Sequence, residues 1–229
     1  MVLKMSEMIK RRKREKRNPV IAEIKVFSPK YGDLLRGRDP FEILRIYESC
    51  EVAGISYITA EAFKGDKRLL KRICEASSLP VLRKDFIESK EEIEETSELG
   101  ASAVLLIARN LKERTPEMVD FALEHDLETV VEVHSLEDVE IANETKTPMI
   151  GINNRDIRRM EMDDGTVEIT EKLSKFIREN SLKISESGIS TLEDLSRALR
   201  CADAVLIGTA FMKSSDIEKT VSSFVNFKF

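Results

Sequence analysis

No stretch of this sequence approaches the ~20 consecutive apolar residues that a membrane helix requires. Nothing near its first methionine reads as an apolar signal core followed by a small-residue cleavage site. A cytoplasmic protein without a membrane anchor is expected. Cysteine is scarce: Cys50, Cys74 and Cys201 are odd in number, widely spaced and outside any CxxC pair. That argues against a disulfide framework and a zinc knuckle, and fits a reducing compartment. The two histidines, His125 and His134, are too few and too far apart to suggest a metal cluster, so no metal is expected. A net charge of −5 gives no overall pull towards nucleic acid.

What is present is a balanced globular composition, 41% hydrophobic and 34% charged over 229 residues. This length suits one large domain or two small ones. One local departure is the run Lys10–Arg17, in which seven of eight residues are basic. It lacks the interleaved aromatics that stack on bases. The favoured reading is the solvated face of a short helix; the alternatives are an anionic polymer or electrostatic attraction of an anionic substrate.

From Val20 onward, short apolar runs alternate with helical spacing. The strand candidates are 20–25, 55–59, 80–84, 103–107, 129–133, 149–153, 182–186 and 204–207. They are rich in Val, Ile and Leu, as strands buried on both faces should be. Between them, sets such as Phe41, Leu44, Tyr47 and Cys50 recur at helical intervals. Helices are also expected over 88–98, 116–124, 135–144, 168–179 and 191–200. Strand–helix alternation implies parallel pairing through crossovers. Eight units of about 25 residues predict a single-domain TIM (βα)8 barrel over 20–229, preceded by a short basic helical extension over 1–19. A doubly wound sheet would normally open on a glycine-rich turn. The first turn here, Phe27-Ser-Pro-Lys-Tyr-Gly32, has no GxGxxG.

Most of these strands carry a polar residue near the C-terminal end, where barrels place their chemistry. Val20-Ile-Ala-Glu-Ile-Lys25 sets Glu23 and Lys25 two residues apart, on one side of a strand. Lys84, Glu132, Asn153 and Glu186 occupy equivalent positions in the third, fifth, sixth and seventh runs. Lysines and carboxylates converging on one mouth are suited to proton transfer; a structural ion-pair network is the bland alternative. The last two strands run into Glu186-Ser-Gly-Ile189 and Ile207-Gly-Thr209. Exposed backbone N–H groups there, with the Ser187 and Thr209 hydroxyls, suit a phosphate.

Taken in order, Ile-Ala-Glu-Ile-Lys-x-x-Ser-Pro, Leu-Arg-Lys-Asp-Phe-Ile, Gly-Ala-x-Ala-Val-Leu-Leu-Ile, Val-Glu-Val-His, Ile-Gly-Ile-Asn-Asn-Arg-Asp, Ser-Glu-Ser-Gly-Ile and Val-Leu-Ile-Gly-Thr resemble the indole-3-glycerol-phosphate synthase family of tryptophan biosynthesis. The likeness runs from about Val20 to Met212. It implies a carboxy-lyase that closes the ring of 1-(2-carboxyphenylamino)-1-deoxyribulose 5-phosphate with loss of CO2 and water, and needs no cofactor. It implies Lys84 as general acid and Glu132, helped by Glu23, as the carboxylate with base and electrostatic roles. Lys25 would contact the substrate carboxylate or phosphate and join the proton transfers as a catalytic residue. Asn153 and Glu186 would hold the ribulose hydroxyls and orient the lysines, and Arg155 would stand near the substrate carboxylate or brace the network. Ser28, Ser187, Gly188, Gly208 and Thr209 would surround the phosphate, with Phe63, Phe86, Leu105 and Ile157 forming a slot for the anthranilate ring.

This sequence departs from the family pattern at Lys30, after Ser-Pro, and at Thr59-Ala60-Glu61. The segment before the first strand usually forms a helix over the barrel mouth in that family, and the basic run is expected to do so here. The expected partner is a small phosphorylated molecule, with no nucleic acid and no membrane. A monomer is expected, a homodimer being the alternative. Two other readings remain open: a neighbouring phosphate barrel such as phosphoribosylanthranilate isomerase, and a non-enzymatic barrel that binds RNA or a partner through 10–17. Against the isomerase, no cysteine ends the first strand, where Glu23 and Lys25 stand instead.

Overall fold

A computed structural model describes residues 4–155 and 166–229. Eight parallel strands close into a barrel in chain order: β1 Val20–Ile24, β2 Gly54–Ile58, β3 Val81–Lys84, β4 Ala103–Ile107, β5 Glu128–Val133, β6 Met149–Asn153, β7 Leu182–Glu186 and β8 Ala204–Ile207. Closure is made by β1, which pairs with β2 on one side (Glu23 opposite Ser56) and β8 on the other (Ala22 opposite Ile207). The strands fall where the apolar runs predict, within a residue or two, and the fold is the expected TIM barrel.

Alternation along the strands sorts side chains into two layers. Ile21, Leu82, Leu105, Val130, Met149 and Ile184 belong to the interior cluster. Their sequence neighbours point outward under the helices: Val20 and Ala22 into one outer cluster, Val131 and Ile150 into another. The same parity carries the polar strand ends inward. Glu23 follows Ile21 by two residues, Lys84 follows Leu82, Glu132 follows Val130 and Glu186 follows Ile184.

The outer helices begin where side chains satisfy their free N–H groups. Ser89 and Glu92 form a capping box at Lys90–Glu98, as do Ser135 and Asp138 at Leu136–Asn143 and Thr191 and Asp194 at Leu192–Leu199. The helix expected over 168–179 ends at Leu173 and gives way to turns. Arg178, beyond it, donates to the carbonyls of Asn143, Thr145 and Thr147, so this segment is tied to the neighbouring loop instead of continuing as a helix.

The N-terminal helix α1, Met5–Arg14, corrects two expectations. It does not cover the mouth. Met5 and Ile9 are fully buried in the interior cluster, at the end of the barrel where the strands begin. Ser6 donates its N–H, 3.0 Å, and its hydroxyl to the carboxylate of Glu128, the first residue of β5. Lys13 pairs with Asp203, just before β8. The helix is therefore a plug in the face opposite the site, held there because its apolar face matches the open interior. Nor is the whole basic run solvated. Arg12 is buried, donating to the Val52 carbonyl at 3.3 Å and to Glu15 at 2.7 Å.

Candidate active site

A cavity of about 710 Å3 opens at the C-terminal ends of the strands, within the range typical of small-molecule sites. Glu23, Lys25, Lys84, Glu132 and Asn153 line its floor. Lys84, the last residue of β3, donates from Nζ to Glu132 Oε2 at 3.3 Å and to Glu186 Oε2. Asn153 Nδ2 donates to the same Glu132 oxygen at 3.2 Å. On the other side of the floor, Lys25 Nζ stands 3.2 Å from Glu23 Oε1, 3.4 Å from the Thr209 hydroxyl and 5.3 Å from the centre of the Phe63 ring.

Glu23, Lys25, Glu132 and Glu186 are buried and Lys84 is largely so, and each depends on its neighbours. Burial by itself disfavours the Lys84 ammonium. The carboxylates of Glu186, Glu132 and Glu23 outweigh it and hold the amine protonated well above its ordinary range. Burial pushes the Glu186 carboxyl up to about 7 against the pull of Lys84, with Glu132 and Glu23 adding to the rise. Glu186 is fully buried and does not line the cavity; it lies underneath Lys84. The arrangement is a protonated amine held at the cavity floor between two carboxylates, one of them close to neutral pH in its titration. Such a group can donate a proton to, and electrostatically stabilise, an oxygen that becomes negative in front of it.

The walls divide by polarity. Phe63, Phe86 and Leu105, with Ile58 and Ile107, give an apolar side. Across the cavity, Ser187, Gly188, Gly208 and Thr209 bring backbone and hydroxyls to the rim, together with Lys213. Ser187 and Gly188 both have left-handed backbone, φ 65° and 68°, which bends the chain sharply out of β7. Arg155 lines the rim, its N–H bonded to Asn153 Oδ1 at 3.0 Å.

One expected residue lies elsewhere. Ser28 is fully buried and does not line the cavity. Its hydroxyl accepts from the Lys30 and Tyr31 N–H groups at 3.3 Å, closing the turn of a short antiparallel ribbon, Phe27–Ser28 with Gly32–Asp33. That turn sends Tyr31 to the cavity rim, where its ring lies between Lys30 Nζ at 5.4 Å and Lys213 Nζ at 3.9 Å from the centroid. Ile157 lies outside the described residues.

Three supporting residues escape a reading based on strand ends. Arg83, next to Lys84 and so on the opposite face, is fully buried and donates to Thr59, Glu95, Thr96 and Asp85. Asn154, buried behind Asn153, donates to the carbonyls of Glu186 and Ser187 at 3.0 Å and fixes the sharp turn. His134 lies two residues beyond Glu132, its Nε2 3.5 Å from Glu132 Oε1. Strand parity alone was the signal for Arg83; nothing local marks the other two. Among the described residues no group of three or more His, Cys, Asp or Glu side chains is placed to hold a metal ion, and no helix is long and apolar enough to cross a membrane.

The indole-3-glycerol phosphate synthase family model matches residues 3–224. The chain is 60% identical to the indole-3-glycerol phosphate synthase of Pyrococcus abyssi over 220 residues, 96% of each chain. It is 59% identical to that of Thermococcus kodakarensis, covering 98% of both. It is 39% identical to that of Methanocaldococcus jannaschii over 97% of this chain and 83% of the relative. The match spans the N-terminal helix, the barrel and the charged floor together, and the chain belongs to the indole-3-glycerol phosphate synthase family.

Proposed function

We propose that this protein closes the indole ring of 1-(2-carboxyphenylamino)-1-deoxyribulose 5-phosphate, releasing CO2 and water. The observation that carries the reading is Lys84: a largely buried amine, kept protonated by Glu186 and Glu132, at the floor of a cavity with one apolar and one phosphate-suited wall. The phosphate lies against Ser187, Gly188, Gly208 and Thr209, with Lys25 and Lys213 supplying positive charge. The anthranilate ring lies against Phe63, Phe86 and Leu105, its carboxylate near Arg155. Clamping both ends brings the carboxylate-bearing ring carbon up to the ribulose carbonyl carbon.

As that bond forms, Lys84 donates its proton to the carbonyl oxygen and prevents an alkoxide from accumulating. The ring becomes cationic, and Glu132 and Glu23 stabilise it. Loss of CO2 returns the electron pair to the ring. Lys25 protonates the departing hydroxyl, which leaves as water, and Glu132 or Glu23 accepts the proton lost from the carbon next to the nitrogen as the ring double bond forms; solvent returns a proton to the lysines. Asn153 orients Glu132, and Glu186 orients Lys84 from below. Because Glu186 does not line the cavity, it serves the lysine and does not hold the ribulose hydroxyls. A monomer is the proposed state. The free cysteines support a reducing cytoplasm as its compartment.

Adding the substrate to purified protein and following indole fluorescence tests the proposal. A rise that Lys84→Ala eliminates is the expected result. A folded protein that produces none overturns it.

A further inference from the structure

The proposed chemistry leaves one buried titratable residue unused. His134 follows the strand that carries Glu132, and its side chain is only 3% exposed. Its backbone N–H donates to Asp138 Oδ2 at 2.8 Å, which turns the ring inward at the head of helix Leu136–Asn143. The ring's Nε2 faces Glu132 Oε1 at 3.5 Å and its Nδ1 faces Asp138 Oδ2 at 4.0 Å. Glu132 Oε1 and both ring nitrogens are buried and have no hydrogen-bond partner among the described residues. The other oxygen of the same carboxylate is already taken by Lys84 and Asn153. A buried carboxylate oxygen and a buried ring nitrogen so close together each supply what the other lacks.

We propose that His134 is a positioning residue for the synthase reaction: a neutral imidazole whose Nε2–H holds the second oxygen of Glu132, so that the carboxylate keeps one orientation while its first oxygen works with Lys84. This rests on the proposed synthase reading for its catalytic consequence, but the pairing itself does not.

The charges around the ring support a neutral donor. The groups facing it are Glu132 on the preceding strand, Lys84 on β3, Arg109 after β4 and Asp138 on the following helix. Burial, aided by Arg109 and Lys84, keeps the ring below its ordinary titration range against the opposing pull of Glu132 and Asp138. Arg109 also contacts Asp138 Oδ2 at 3.5 Å, so the carboxylate behind the ring has a cation of its own. A neutral imidazole has one N–H and one acceptor nitrogen. Placing the N–H on Nε2 gives Glu132 a donor, whereas the other tautomer would set a lone pair against a carboxylate oxygen.

The chain has only two histidines, so 15N spectra of the ring nitrogens are directly assignable with His125→Gln. The expected spectrum shows His134 as the neutral Nε2–H tautomer at pH 7. In Glu132→Gln its titration should move further down, because the carboxylate nearest the ring has gone. An Nδ1–H tautomer, or a titration indifferent to Glu132→Gln, overturns the pairing whether or not the protein turns over substrate.

Kinetics read the role. His134→Leu should lower kcat about tenfold or more with KM nearly unchanged, and move the acidic limb of the kcat profile to higher pH. His134→Gln, which keeps an N–H donor, should recover most of the rate. Unchanged kcat and pH profile in a folded His134→Leu overturn the positioning role. Equal losses in both variants, matched by equal falls in Tm, reduce it to core packing and also overturn it. A wild-type protein with no turnover but the expected spectrum removes the synthase reading and the kinetic role with it, leaving the pairing intact.

Discussion

Gly208 makes room for Glu23: a β-carbon on Gly208 would stand 2.3 Å from Glu23 Oε1 and 3.0 Å from its Cβ. The glycine of the eighth strand end thus does more than turn the chain beside the proposed phosphate site. It leaves the volume in which a carboxylate from β1 reaches Lys25. Gly151 in β6 stands in the same relation to Glu186, whose Oε1 would lie 2.1 Å from a β-carbon on that glycine. Gly208→Ala should therefore displace Glu23 while the barrel stays folded. Displacements of about 1 Å can cost on the order of 100-fold in rate. Steady-state kinetics beside a thermal melt measure both, and full activity would mean that Glu23 is not needed in its observed place.

Lys84→Ala should lower kcat by roughly 100- to 10,000-fold, the usual contribution of a positioned acid. KM should change much less, since the two ends of the substrate keep their walls. Single-turnover fluorescence separates the two. A variant that binds poorly but reacts at the normal rate would make Lys84 a binding residue instead.

Glu186 gives a prediction about stability. Its folded-state titration is raised from 4.5 to about 7, so the folded protein holds a proton there that the unfolded chain has released. The slope of stability with pH follows the difference in bound protons, unfolded minus folded. It is negative here: this contribution is complete below pH 4.5 and is lost as pH rises to about 7. Glu186→Gln removes it. Urea titrations across that window should show the variant gaining on the wild type as pH rises, with a constant difference above it. A difference independent of pH would show that Glu186 ionises normally.

The plugging helix separates stability from activity. Glu128→Ala leaves the Ser6 N–H and hydroxyl without their buried acceptor, at a cost of about 1–3 kcal/mol. Denaturant unfolding beside an activity assay checks this. Turnover at moderate temperature should be unaffected, because the change is at the opposite face from the cavity.

The exposed basic residues of that helix bear on substrate capture. Lys10, Arg11 and Arg14 are exposed, on a helix bound to the far end of the barrel. Replacing all three by Gln should leave kcat/KM and its salt dependence unchanged. A clear fall at low ionic strength would restore the idea that this run attracts the substrate.

The barrel was legible because its strands are short, apolar and regularly spaced, and because period two fixes which residues face inward. That parity brought Glu23, Lys84, Glu132 and Glu186 to one mouth without further help. The position of α1 was not legible. Met5 and Ile9 announce an apolar face, but either end of a barrel could receive it. Glu128 is one of the polar partners that fix the helix at this end, and in sequence it is only the polar start of a strand. Ser28 sits in a Ser-Pro turn that suits a phosphate, yet its hydroxyl is used by the N–H groups two and three residues on. Asn154 and His134 depend on partners 16 or more residues away or on the bend of a helix start, and no local pattern reports such contacts.

In β7, Glu186 lies beneath Lys84, the proposed proton donor, and Ser187, the very next residue, starts the turn at the anion-suited rim. One peptide unit therefore links the proposed chemical centre to the proposed phosphate anchor. Side-chain packing can loosen on warming or drift under mutation, but a covalent link of this length cannot. The strand works as a ruler: substrates with the right groups but one carbon fewer between phosphate and carbonyl could satisfy either end of the cavity, not both.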